Sequence, residues 1–206
     1  MEEMTAAEAP HPFRYPSLLS RRHGPSGYAT YQSYRPWLRD EFMFRCAYCL
    51  KREIWGRTLS DFDLDHLEAR ARAKELTLAY DNLVYSCHAC NLAKGSCSID
   101  IPTPTSLLVA WDGTISAGDD LGQRVIDMLS LDDAKSTLYR KKIIGIVRST
   151  FAAASERETF HLWMGFPTDD LPNLALLRCP TNTRPEGVNN SWYARRQRGE
   201  LPAYYE

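Results

Sequence analysis

The chain of 206 residues is long enough for one ordinary domain, or a small domain with an attachment, and too short for a large multidomain machine. With 44% hydrophobic and 25% charged residues, 11 Gly and 12 Pro, its composition is that of an average globular protein and excludes collagen-like, coiled-coil and wholly disordered readings. Twenty-five Lys and Arg against 26 Asp and Glu leave a formal charge of -1, which excludes coating of nucleic acid through bulk positive charge, so any phosphate contact must be local. No stretch approaches the roughly 20 apolar residues of a membrane helix. The start, with Glu2, Glu3 and Glu8, lacks the basic and apolar segments of a secretory signal, so a cytoplasmic protein without a membrane partner is expected.

Residues 1–33 are rich in Pro, Gly, Ser and Tyr, with Arg21, Arg22 and His23 before Gly24-Pro25-Ser26-Gly27, and read as an extended N-terminal arm. From Tyr34 to Phe44 the apolar residues Trp37, Leu38, Phe42 and Met43 recur at helical spacing, with Pro36 suited to a first turn. This helix runs into Cys46. The alternation from Asp61 to His66 predicts a half-buried strand, Asn82 to Tyr85 a second, and residues 91–96 can begin a helix. Beyond Cys97, Leu107 to Trp111 and Thr114-Ile115 flank Asp112-Gly113 as a hairpin does. Val125, Met128 and Leu129 mark a short helix; Ser130 or Asp132 can cap a longer one lined by Ile143, Val147, Phe151 and Ala154. That stripe suits core packing and is also a candidate association surface. Residues 99–180 carry no cluster of catalytic residue types and read as scaffold or partner surface, while the tail from Thr183 to Arg198 mixes bases with aromatics.

Four of the six cysteines form two C-x-x-C pairs, Cys46/Cys49 and Cys87/Cys90, about forty residues apart. Four soft thiolates complete a tetrahedral zinc site and leave no open position, so such a site is structural. A redox dithiol is the alternative, but it fits poorly with two pairs and no βαβ pattern around either. The remaining Cys97 and Cys179 are read as buried, unreactive thiols.

The string Asp63-Leu64-Asp65-His66, then Asp81-Asn82-Leu83, then Cys87-His88-Ala89-Cys90-Asn91-Leu92-Ala93-Lys94-Gly95 resembles the HNH endonucleases, or ββα-metal nucleases, in their zinc-braced form. The resemblance spans residues 34–98 and implies an α+β, treble-clef-like nuclease core, with residues 99–206 as a mainly helical extension ending in a basic and aromatic tail. It implies that His66 is the general base and that Asp65 and Asn91 ligate a catalytic Mg2+ or Mn2+. Asn82 would brace the loop that orients the base, and Cys46, Cys49, Cys87 and Cys90 would hold the structural zinc. Histidine is the side chain whose pKa suits deprotonation of water near neutral pH. Lys94, Arg70, Arg72, Arg195 and Arg196 are candidate phosphate contacts, with Lys74 beside them.

Two departures stand out. Asn91 replaces the second histidine of many members, as in the branch that includes the HNH domains of RNA-guided nucleases, and its oxygen donor favours Mg2+. Asp65-His66 is followed by Leu67-Glu68-Ala69-Arg70 instead of the frequent hydrophobic pair and proline, so the loop after the base is expected to run differently. The implied activity is hydrolysis of DNA phosphodiester bonds. Small HNH proteins with long extensions occur in bacterial antiviral defence, some beside an ATPase subunit, and the weak net charge favours recruitment by such a partner or by a homodimer. The competing reading is a zinc-binding interaction module without catalysis.

Overall fold

A computed structural model describes residues 9–15, 21–56, 61–167, 169–177, 181–182, 184–202 and 204. Among them the elements run β1 (Pro25–Ser26), α1 (Arg35–Glu41), β2 (Phe62–His66), β3 (Leu83–Cys87), α2 (His88–Lys94), β4 (Leu107–Val109), β5 (Ile115–Ala117), α3 (Asp120–Leu129), α4 (Ala134–Ala152), α5 (Arg157–Met164), β6 (Thr181–Asn182), α6 (Pro185–Asn189) and α7 (Trp192–Gln197). Helices with three small two-stranded sheets make this an α+β protein. No helix among the described residues is long and apolar enough to cross a membrane. The chain forms two compact units, one of residues 18–101 and 167–202, the other of residues 1–17, 102–166 and 203–206.

In the first unit a single 3-10 turn, Tyr31–Tyr34, leads into α1, and Pro36 occupies the first turn, where its missing N–H costs nothing. The helix ends at Glu41, short of the Phe44 expected from spacing. Met43 and Phe44 take φ of 52° and 56°, and the Phe44 amide returns to the Arg39 carbonyl at 2.8 Å. This left-handed stop folds Phe44, fully buried, back under the helix it terminates. The chain then makes a knuckle in which the Cys46 amide meets the Lys51 carbonyl at 2.8 Å and the Ala47 amide meets the Tyr85 carbonyl of β3 at 2.8 Å.

Strands β2 and β3 pair antiparallel in a register running from Phe62 opposite Cys87 to His66 opposite Leu83. Every residue of β3 is buried, between α1 and the knuckle on one side and α2 on the other. With a period of two, Asp63 and Asp65 share a face, and His66 lies at the strand's end. Helix α2 starts directly from Cys87, three residues before the helix start expected at residue 91, and stops at Gly95, whose φ of +55° suits a residue without a Cβ.

Chain segments from both termini complete this unit. β1 pairs antiparallel with β6, and Arg184 donates to the carbonyls of Arg21 and His23. The buried Asp40 carboxylate of α1 binds Arg22 at 3.0 Å, His23 Nε2 at 2.9 Å and the backbone amide of Trp192 at 2.8 Å. The indole N–H of Trp192 donates to the Asp40 carbonyl. One acid at the end of α1 thus anchors a segment before it and a helix more than a hundred residues after it.

In the second unit β4 and β5 form the expected hairpin, with Gly113 at φ 89° and Asp112 accepting from the amide and hydroxyl of Thr114. Asp119 caps α3 and Asp133 caps α4 by accepting from the amides of Lys135 and Ser136. The caps expected at Ser130 or Asp132 are therefore displaced. Ser130 takes a left-handed conformation that closes α3 instead, its amide bonding the Ile126 carbonyl. Ile143 and Val147 are buried, and the Phe151 ring lies 5.2 Å from Phe160 of α5. This stripe is core, which removes it as an association surface, and Ala154 lies beyond the helix end in a 3-10 turn.

Candidate active site

The fold brings the two cysteine pairs together. The Sγ atoms of Cys46, Cys49, Cys87 and Cys90 all lie within 4.8 Å of one another, with Cys49 and Cys87 3.7 Å apart. That distance is far beyond a disulfide of about 2.05 Å. It matches the edge of about 3.8 Å expected for four sulfurs around an ion with bonds of about 2.3 Å. Hydrogen bonds within the cluster lower the Cys87 thiol and raise those of Cys49 and Cys90, as expected of four thiols close enough to share protons. Clustering all four thiols leaves neither pair as a separate redox dithiol, and the donor set fits zinc. Cys97 is exposed, contrary to the burial expected of it, in the turn that closes α2, where its amide bonds the Lys94 carbonyl; Cys179 lies outside the described residues.

Cys87 caps α2 and Cys90 sits in its first turn, so the cluster fixes where the helix begins. Asn91 follows, and its Nδ2 donates to Asp63 at 3.0 Å. Among the described residues no donor meets its side-chain Oδ1. Asp65 is nearly buried and accepts from the Tyr48 hydroxyl at 2.7 Å, its neighbour's amide at 2.8 Å and Lys94 Nζ at 3.2 Å. That leaves about one of the four lone-pair sites of a carboxylate. Asp65, His66 and Asn91 line one cavity of about 310 Å3, with Tyr31 and Arg70 at its wall. A hard divalent cation would find its oxygen donors in Asp65 and Asn91.

His66 is held by the loop that follows it. Its Nε2 lies 3.1 Å from the Thr77 carbonyl, an acceptor only, so Nε2 carries the hydrogen and Nδ1 keeps a lone pair. Burial pushes the imidazole below its ordinary value, and the positive charge of Arg70 adds to this, which favours the neutral ring. The Tyr31 ring meets the imidazole edge-on at 4.9 Å, and the Arg70 guanidinium covers Tyr31 at 5.2 Å. Asn82, on the entry to β3, accepts from the Glu68 amide at 2.8 Å and donates to the carbonyls of Glu68 and Leu76. It laces together the two ends of the 68–76 loop that delivers Thr77 to His66.

Lys94 is not where a phosphate contact must be. It is 1% exposed, bonded to Asp65 and, at 2.7 Å, to the His66 carbonyl, because the last turn of α2 points it under β2 rather than outward. Arg70, Arg72 and Lys74 are exposed on the 68–76 loop, while Arg195 stacks on Trp192 at 4.7 Å and Arg196 is exposed on α7. His88 is exposed and bonds Asp63 at 2.8 Å. Tyr31, Tyr48 and Thr77 were not singled out from sequence. Tyr48 lies inside the first C-x-x-C, the one hint available; Tyr31 and Thr77 reach the site only through folding.

With this geometry in hand, residues 46–96 match the family model described as HNH endonuclease, and this part of the chain is an HNH endonuclease domain. No curated protein matches the chain.

Proposed function

We propose that the HNH domain hydrolyses phosphodiester bonds in DNA with a divalent cation, His66 acting as general base. The observation that carries this reading is the imidazole itself: Nε2 fixed on the Thr77 carbonyl, Nδ1 free, and the ring in a cavity shared with Asp65 and Asn91. His66 Nδ1 takes the proton of the attacking water, and the Thr77 carbonyl stabilises the imidazolium that results. Asn82 keeps the 68–76 loop, and through it Thr77, at the distance that orients the ring. Asp65 and Asn91 would hold Mg2+ or Mn2+, which when bound neutralises charge developing on the scissile phosphate. Arg70 places a guanidinium beside the base, suited to a phosphate oxygen, and Arg72, Arg195 and Arg196 extend positive charge for the backbone. The four-cysteine zinc takes no part in these steps; it sets the start of α2 and so the position of Asn91.

The setting we propose is a cytoplasmic nuclease component of bacterial antiviral defence, working with an ATPase subunit or as a homodimer. The small net charge supports recruitment by a partner. One base and one cation serve one phosphate at a time, so a single copy nicks duplex DNA.

The test is incubation of the full chain with supercoiled plasmid and Mg2+ or Mn2+. Nicked circles should appear before linear product, and His66→Ala should lower the rate by roughly 10²- to 10⁴-fold with zinc content unchanged. Wild-type cleavage by His66→Ala would remove the assigned base. A protein that binds DNA and zinc but never cleaves under any divalent ion would leave the non-catalytic binding module as the reading.

A further inference from the structure

Helix α4 carries five basic residues and no acidic one over its 19 residues, in a chain whose overall formal charge is -1. Arg140 is buried and donates to the Gly113 carbonyl at 2.7 Å, so it belongs to the fold. Lys135, Lys141, Lys142 and Arg148 are exposed and take no part in an ion pair among the described residues. Seven residues advance a helix by about 10.5 Å and return to nearly the same side. Lys135 with Lys142, and Lys141 with Arg148, therefore make two parallel rails about 100° apart on the helix surface. The hairpin turn sits directly on this helix: a Cβ at Gly113 would come within 2.6 Å of the Thr137 carbonyl oxygen and the Lys141 amide. That seating brings Trp111 under the Arg148 guanidinium, 5.3 Å from ring centre, and holds the charge out at the surface. Of the acids close by, Asp133 is the helix cap, Asp112 accepts from Thr114 and feels the Lys141 charge, and Asp132 is exposed just before the helix, so four exposed cations stand against three carboxylates there.

We infer that this face of α4 is a nucleic-acid docking surface that grips the phosphate backbone, separate in role from the cleavage site. The inference rests on the reading that nucleic acid is the substrate of the HNH domain. Charge complementarity selects the occupant: paired rails of cations suit a regular row of phosphates, and a chain without bulk positive charge can hold a polyanion only where its positive charge is concentrated.

The experiment uses the full chain carrying His66→Ala, so that binding is read without cleavage, and compares it with the same chain carrying Lys135→Gln, Lys141→Gln and Lys142→Gln. Affinity for a labelled DNA duplex is measured by fluorescence anisotropy across a salt series. Removing three phosphate contacts should flatten the slope of log affinity against log salt by about two to three units and weaken binding at low salt by at least about tenfold, with the helical circular dichroism intact. Arg124→Gln with Arg157→Gln, which removes charge from α3 and α5 instead, should leave the slope within about half a unit. An unchanged slope in the lysine variant, an equal loss in the α3 and α5 control, or displacement of DNA by polyglutamate as readily as by unlabelled DNA would each overturn the surface as a nucleic-acid site. Arg148→Gln, alone, should remove about one unit and serves if the triple variant does not fold. Plasmid cleavage by wild type is scored separately, so a protein that binds through α4 but never cuts sinks the catalytic reading and leaves this one standing.

Discussion

A lysine beside the Asp65-His66 motif has two ways to be useful, and burial separates them. Lys94 places its ammonium between the Asp65 carboxylate and the His66 carbonyl with essentially no exposure to water. Removing one member of such a buried pair leaves the other charge stranded, at a cost of about 3–5 kcal/mol. Lys94→Met should therefore lower stability by that order in urea unfolding, while the salt slope of DNA binding stays that of wild type; a loss of one unit in the slope would return Lys94 to the phosphates. In the second unit, His11 has its ring 4.5 Å from Trp111, and burial lowers its pKa from 6.5, with the Arg14 charge adding to the effect. The folded state thus binds fewer protons than the unfolded state just below pH 6.5. Stability from this group is fully present above that pH and is lost as pH falls toward the folded-state value. His11→Phe should flatten the decline in thermal midpoint between pH 6.5 and 5; an unchanged decline would place the sensitivity elsewhere.

Helix α2 spans seven residues, too few to hold itself together in water. Its start is imposed by Cys87 and Cys90, and its inner side by contacts with β2 and β3. Because ligands so arranged have no partner in the unfolded chain, structural zinc binding is itself folding free energy, about 10–16 kcal/mol in small zinc domains. Cys87→Ser should lose zinc and the folded domain together, and a strong chelator should do the same to wild type. Metal analysis alongside circular dichroism reads both; a Cys87→Ser protein that kept its fold and its zinc would unseat the cluster from this role. The contrast with His66→Ala, which should keep both, separates the frame from the chemistry.

Across the molecule, Asp40 is the residue whose removal reaches farthest. Its carboxylate and carbonyl together receive Arg22, His23 and two groups of Trp192, joining α1 to a segment before it and to α7. Arg39 beside it forks onto Glu53 at 2.8 and 2.9 Å and reaches Asp170, so two neighbouring residues of one helix hold four separate stretches of chain. Asp40→Ala should cost about 3–5 kcal/mol, since it takes the carboxylate away from Arg22, His23 and the buried Trp192 amide rather than deleting a surface pair, while the indole keeps its backbone carbonyl. Urea unfolding measures the loss. Zinc content should persist, because among the described residues Asp40 makes no hydrogen bond to any of the four cysteines.

The nuclease core was legible in the sequence because its determinants are local and ordered: the spacing of two C-x-x-C pairs, the alternation from Phe62 to His66, and Asn91 directly after a cysteine each act within a few residues. The Asp112-Gly113 hairpin was legible for the same reason, since a tight turn is chosen by the residues that occupy it. The end of α1 was not, because Met43 and Phe44 adopt left-handed backbone only to bury Phe44, a gain that exists once the core does. Tyr31 reaches His66, Thr77 accepts from it, Lys94 turns inward, and the arm and tail meet on Asp40 only through contacts between residues far apart in the chain. Periodicity and spacing describe which residues neighbour one another along an element. Which charge is buried, and which ring meets which, depends on what the other elements leave for it, and tertiary packing alone decides that.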